Sequence, residues 1–261
     1  MRKPSEHRSL LPHEHGAYGQ IAMPILCGLA LGRPGPGAWL LATGAFLGFL
    51  SYEPLLVASG RRGRRTQEDH GARARRLAGW ILSAAVALSG AGFVLSPPEA
   101  RLAAAVPPVL AAGIAVLVWM ELERTVPGEV AVAVALSSVG FPVGVASGAR
   151  PGAAAAAWLA WSLGFAAATL AVEVVLARSR SPARDPGPAA LGGVVLLEGV
   201  ALALAFAGVV PAVVPVAVAP LALSSLAVIL LRVQARRLKA VGWATLAGSV
   251  ATLSVLVSAL R

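Results

Sequence analysis

The sequence predicts an all-α fold, a polytopic bundle of about nine membrane-crossing helices, and three observations carry that expectation. Hydrophobic residues make up 57% of the 261-residue chain and charged residues only 13%, too little polar surface to coat a soluble globule of this length. The apolar residues fall in continuous runs close to the roughly 20 residues that cross a bilayer core, without the alternation of a barrel strand. Of the 22 Lys and Arg, only Arg33, Arg101, Arg150 and Arg261 fall outside the N-terminal tail and the gaps after the second, fourth, sixth and eighth runs. Loops rich in Lys and Arg stay in the cytoplasm, which sets the N-terminus inside and the C-terminus outside.

The first run, 16–32, follows Pro12-His13-Glu14-His15 and ends at Arg33-Pro34-Gly35-Pro36. Met1-Arg2-Lys3 opens like a signal peptide, but no small-residue cleavage site closes the run, so it is expected to be retained. Run 36–58 starts on a proline and carries Glu53 near its end; run 77–96 begins after an arginine cluster. Runs 101–120 and 128–147 flank a turn containing Glu121, Glu123, Arg124 and Glu129, acids that ring a cavity or simply solvate the turn. Runs 153–177, 189–208, 211–231 and 240–260 complete the set, with Glu198 near the middle of the seventh. Pro24, Pro54, Pro107, Pro108, Pro142, Pro215 and Pro220 are expected to kink spans. Trp39, Trp80, Trp119, Trp158, Trp161 and Trp243 read as an interfacial belt.

The whole chain, 1–261, reads as one transmembrane domain. Leu47-Gly48-Phe49 followed by Glu53 resembles Leu163-Gly164-Phe165 followed by Glu173, and Gly16 falls on Gly128 at nearly the same offset. That register suggests a four-helix repeat, 16–120 and 128–231, with a last helix at 240–260. The single cysteine, Cys27, excludes an intramolecular disulfide and reads as a small buried hydrophobe. A net charge of +10 would suit nucleic acid in a soluble protein; beside membrane spans it attracts anionic headgroups, so lipid is the expected partner and nucleic acid is not.

Polar chemistry is gathered on the face predicted to be cytoplasmic. Only Glu99 among the acids is placed outside and only Glu198 deep in a span, and His7, His13, His15 and His70 all fall inside. The entrance Pro12-His13-Glu14-His15-Gly16-Ala17-Tyr18-Gly19-Gln20 offers two imidazoles that point one way if the segment is extended, suited to a metal or a phosphate. Interfacial anchoring, with Gly16 and Gly19 allowing a close helix contact, accounts for the same residues. Glu53, set back in an apolar helix, needs Arg, metal or water as a partner. After it come Arg61, Arg62, Arg64, Arg65, Glu68, Asp69 and His70, a topology determinant or a mixed-charge loop that holds a divalent cation beside a phosphate. Glu173 and then Arg178 and Asp185 repeat the pattern after run 6. Glu198 reads as a neutral acid bonded to Ser224 or Ser225, or as a proton-coupled transport group.

Pro12-His13-Glu14-His15-Gly16-Ala17-Tyr18, with Glu53-Pro54-Leu55-Leu56-Val57 and Arg61-Arg62-Gly63-Arg64-Arg65, resembles the YwiC-like family of bacterial integral membrane proteins over residues 1–80. That resemblance implies a multi-pass protein of the bacterial inner membrane. The helix plan, with polar loops after helices 2 and 6, is also similar to UbiA-type intramembrane prenyltransferases. It implies a cytoplasm-facing cavity, Mg²⁺ on Glu53, Glu68, Asp69 and Glu173 with Asp185 in the second motif, and an isoprenoid or lipid diphosphate on Arg61, Arg62, Arg64 and Arg65. His13, Glu14, His15, Tyr18, His70 and Arg178 complete the candidate binding set. The chain departs from that pattern in having no asparagine and no Asp-x-x-x-Asp, so enzymatic transfer stays open beside a transporter or a non-catalytic lipid-binding protein using the same cavity.

The charge asymmetry makes one direct prediction. A reporter fused after Arg261 should be active only when it requires the outside compartment, while one inserted between Gly60 and Arg76 should report the cytoplasm; a C-terminal fusion active only in the cytoplasm would overturn the topology.

Overall fold

The computed structural model describes residues 10–12, 15–180 and 185–261, and the candidate residues His13 and Glu14 lie outside them, as does the side chain of His15. The described chain is helical throughout, with no strand: α1 (His15–Ala30), α2 (Pro36–Leu50), α3 (Tyr52–Ala58), α4 (Arg64–Leu95), α5 (Pro98–Ala103), α6 (Val106–Trp119), α7 (Val126–Ser137), α8 (Gly140–Ala146), α9 (Pro151–Arg180), α10 (Gly187–Phe206), α11 (Val213–Leu230) and α12 (Leu238–Leu260). Joined across their breaks, these make eight helices long and apolar enough to cross a membrane, plus the shorter α1. Helix is what the hydrocarbon demands, since a backbone N–H or C=O left unpaired there costs several kcal/mol.

The proline breaks fall where a missing N–H predicts them. Pro54 cannot donate back to Leu50, and α2 gives way to α3 at Ser51; Pro107 and Pro108 separate α5 from α6; Pro142 separates α7 from α8. Serine hydroxyls beside two of the breaks bond back to carbonyls of the preceding turn: Ser51 Oγ donates to Gly48 O at 2.6 Å and Ser138 Oγ to Ala135 O at 2.7 Å. Pro24 and Pro220 are instead carried inside continuous helices.

Two expectations need correction. Run 16–32 is a helix of 16 residues, about 24 Å at 1.5 Å per residue, shorter than the hydrocarbon core. It tolerates this because it is an inner helix, packed on α7, α8, α9 and α12, with Ile21, Ile25, Cys27 and Leu29 buried. The arginine-rich stretch after run 2 is largely helix rather than loop. Gly60 and Gly63, at φ +79° and +97°, make the reversal, and α4 begins at Arg64 because Arg, Gln, Glu and Ala all favour helix.

Close approach of backbones holds α1 against α8. A Cβ built on Gly28 would lie 2.6 Å from Gly140 O and 2.9 Å from Gly144 N, so only glycine fits. The largest core cluster lies around α9, α11 and α12, where Trp161, 1% exposed, stacks on Phe165 at 5.1 Å between ring centres. Trp158, half-buried, stacks on Phe141. These two tryptophans therefore leave the expected belt, and Trp39, Trp80, Trp119 and Trp243 stay exposed. Helix α6 buries none of its residues, so its apolar surface is left for lipid.

Gly28→Ala should cost at least 1–3 kcal/mol, as overpacking does, and lower the thermal midpoint in detergent by several degrees. Gly113→Ala, where nothing lies within 4 Å, should be neutral or stabilising. Equal behaviour of the two variants would rule out the α1–α8 contact.

Candidate functional site

The polar face condenses around the turn from α3 to α4. Glu53 sits in the first turn of α3, directly after the Ser51 break, and is 2% exposed. Arg62, in the glycine-bounded turn, meets it with two nitrogens: Nε donates to Oε1 at 3.2 Å and to Oε2 at 3.1 Å, and Nη2 donates to Oε2. This is the partner that the depth of Glu53 required, and both carboxylate oxygens are engaged. The corner is braced on both sides. Gln67 Nε2 donates to Ala58 O at 2.9 Å, closing the end of α3 onto α4. Leu10, 4% exposed, packs against Val57 and Ala74 and so ties its own position to α3 and α4.

The other arginines of the cluster divide in two. Arg61 reaches across to the end of α6, donating to Glu121 Oε1 at 3.2 Å and to Trp119 O at 3.3 Å. Arg64 pairs with Glu68 one turn on at 3.0 Å, both side chains exposed, a contact worth little on its own. Arg65, Arg73, Arg75 and Arg76 are exposed and make no ion pair among the described residues. At 100° per residue, Arg65, Arg73 and Arg76 share one face with the exposed Asp69, turned away from the buried Gly71, Ala74 and Ala78. His70 is half-buried on the same helix. Tyr18 belongs elsewhere: its ring meets Phe49 edge-on at 5.1 Å and Phe46 at 6.4 Å, fastening α1 to α2.

The second constellation is a structural tie. Arg178 donates from Nε to Asp185 Oδ1 at 2.8 Å, from Nη2 to Oδ2 at 3.2 Å and from Nη1 to Ile229 O at 3.1 Å, linking the ends of α9 and α11 to the start of α10. Arg232 approaches the same carboxylate at 3.5 Å, and the Gly187 N–H donates to it at 2.9 Å. The Arg178 hydrogen bond, more than any other contact, holds the Asp185 carboxyl below the usual carboxylate range. Glu173 is half-buried on α9 and makes no hydrogen bond or ion pair among the described residues.

The two constellations are not drawn together. Helix α3 packs on α4 and α2, whereas α9 packs on α7, α8, α10 and α11. Among the described residues, no three of His, Cys, Asp and Glu group as metal ligands do. Glu53 is committed to Arg62 and Glu68 to Arg64, so this donor set offers no ready cage for Mg²⁺. Sequence reasoning missed Gln67 and Leu10 as braces and the Arg61–Glu121 link. The first two carried no charge signal, and the last joins positions far apart in the chain.

Eight helices long and apolar enough to cross a membrane, with no strand among the described residues, define an integral, multi-pass membrane protein. The family model described as YwiC-like protein matches residues 11–144, more than half of the chain, and the chain belongs to that family. No curated protein and no solved structure matches it. The matched stretch runs from the entrance of α1 into α8, so it contains the Glu53–Arg62 corner and excludes Glu173, Arg178, Asp185 and Glu198.

The corner is testable by its energetics. Removing either member of the pair, by Glu53→Gln or Arg62→Ala, should cost about 3–5 kcal/mol because a buried charge loses its partner. Replacing both with leucine should cost less than the sum of the two single losses when unfolding is followed in micelles; strictly additive losses would show that the two side chains do not depend on each other.

Proposed function

We propose that this YwiC-like protein binds a lipid carrying a phosphate or diphosphate at the arginine-bearing start of α4, on the cytoplasmic side of the membrane. The observation that carries the reading is the division of labour among the arginines. Arg61, Arg62 and Arg64 are spent on Glu121, Glu53 and Glu68, while Arg65, Arg73 and Arg76 form one outward face around the single acid Asp69 and make no ion pair among the described residues. Exposed Trp80 follows one turn beyond Arg76, where the apolar part of α4 begins, and a tryptophan there sits at headgroup depth. Guanidinium groups at that level match phosphate oxygens in geometry and charge. The Glu53–Arg62 pair and the Gln67 brace hold the corner rigid, so the face is presented in one orientation.

An isoprenoid diphosphate is the ligand that the UbiA-like helix plan suggests, and transfer of its prenyl chain is the enzymatic form of the same reading. Magnesium would supply charge neutralisation of a departing diphosphate. The carboxylates nominated for it, on Glu53, Glu68, Asp69 and Glu173, are dispersed or paired, so binding is the activity that this arrangement supports.

The test is binding of geranylgeranyl diphosphate to the protein in phosphatidylcholine nanodiscs, with inorganic pyrophosphate and phosphatidylglycerol as separate arms. Substituting Arg65, Arg73 and Arg76 together by glutamine should weaken binding at least tenfold, about 1.4 kcal/mol or more. Affinity for the prenylated ligand but not for pyrophosphate would assign the apolar tail a role. Binding that survives the triple substitution would place the ligand elsewhere.

A further inference from the structure

An open groove of about 450 Å³ lies between helices α10 and α11, lined by Glu198, Leu202, Ala205, Phe206, Pro215, Val216 and Ala219 among others. Glu198 is the sole ionisable residue of either helix. The two hydroxyls that its position nominated as partners are used elsewhere: Ser224 and Ser225 both donate to Leu221 O, at 2.9 and 2.7 Å. Glu198 Oε2 is buried without a hydrogen-bond partner, and the carboxyl makes no ion pair among the described residues. The third helix packed on α10 is α9, whose Glu173, Arg178 and Arg180 lie toward the end at which α10 begins, whereas Glu198 lies in the second half of α10.

A carboxyl so placed has no positive partner among the described residues, and an apolar span makes that expensive unless a proton or a ligand cation supplies one. The rest of the groove points to which cation. Its other walls are hydrocarbon, which excludes a hydrated metal ion, and Phe206, 89% exposed, sets an aromatic face two turns from Glu198. The volume lies within the 300–1,000 Å³ typical of small-molecule sites. We propose that this groove binds a lipophilic organic monocation, entering from the lipid side and neutralised by Glu198. The site is separate from the arginine face of α4 and does not rest on the diphosphate reading.

The experiment uses the full chain in phosphatidylcholine nanodiscs with radiolabelled tetraphenylphosphonium as the probe. Saturable binding is expected, at least tenfold weaker in Glu198→Gln and also weakened by Ala219→Phe, which fills the groove and leaves the charge in place. Neutral triphenylphosphine oxide should displace the probe poorly. On the unmodified protein, dicyclohexylcarbodiimide, which reaches carboxyls from the hydrocarbon, should add its mass at Glu198, and tetraphenylphosphonium should suppress that addition. Absence of saturable binding, or full binding by Glu198→Gln, would overturn the proposal. So would displacement by the neutral oxide at matching concentration, since the groove would then read shape and not charge.

Discussion

The organisation of this bundle depends on the rule that polar groups in hydrocarbon must find partners within the protein. Continuous helices satisfy it by default. Beside the breaks, serine hydroxyls bond back into their own turn, as Ser51 does to Gly48 O and Ser138 to Ala135 O. The same rule governs packing between helices: Ser137 and Ser162 hydroxyls meet at 3.0 Å, Thr252 donates to Ala217 O, and the Arg33 N–H reaches Ser147 O. Small residues complete the arrangement, because lipid provides no hydrophobic drive toward helix association and contact must come from close fit. Gly28 against Gly140 and Gly144 is one expression of this, and Gly32 against the Ser147 carbonyl is another.

Charge obeys the rule with larger penalties. Glu53 is tolerated at 2% exposure because Arg62 grips both its oxygens, and Asp185 is fixed by Arg178 where three helix ends meet. Such pairs contribute orientation more than net stability, since each charge loses hydration on burial. Glu173, half-buried without an ion pair among the described residues, departs from this pattern, and two further groups do so as well. The outward arginines of α4 and the carboxyl of Glu198 make no ion pair among the described residues, and they lie in different surroundings, one on an exposed helix face and one along an apolar groove. Those are the places where a bound molecule gains most by supplying the missing charge.

What the sequence by itself determined is the environment, the helical class and the position of the spans, because these depend on composition and on local runs. Lipid leaves the backbone one choice, so apolar length alone marks a span, and each break at Pro54, Pro107–Pro108 and Pro142 was legible from a missing N–H. Glu53 was also legible as a residue needing a partner. Which arginine would answer was not, for four arginines follow within twelve residues, and the selection of Arg62 depends on the glycine-bounded turn that directs it back onto α3. The stretch 64–76 looked like a loop because charge masked its helix propensity. Only the tertiary structure decided that Tyr18 and Trp161 serve packing, that Asp185 is a strut between helix ends, and that Glu198 stands without its serines. Those outcomes turn on which neighbouring helix supplies a backbone carbonyl or an aromatic ring, a relation between residues distant in the chain that no local pattern encodes.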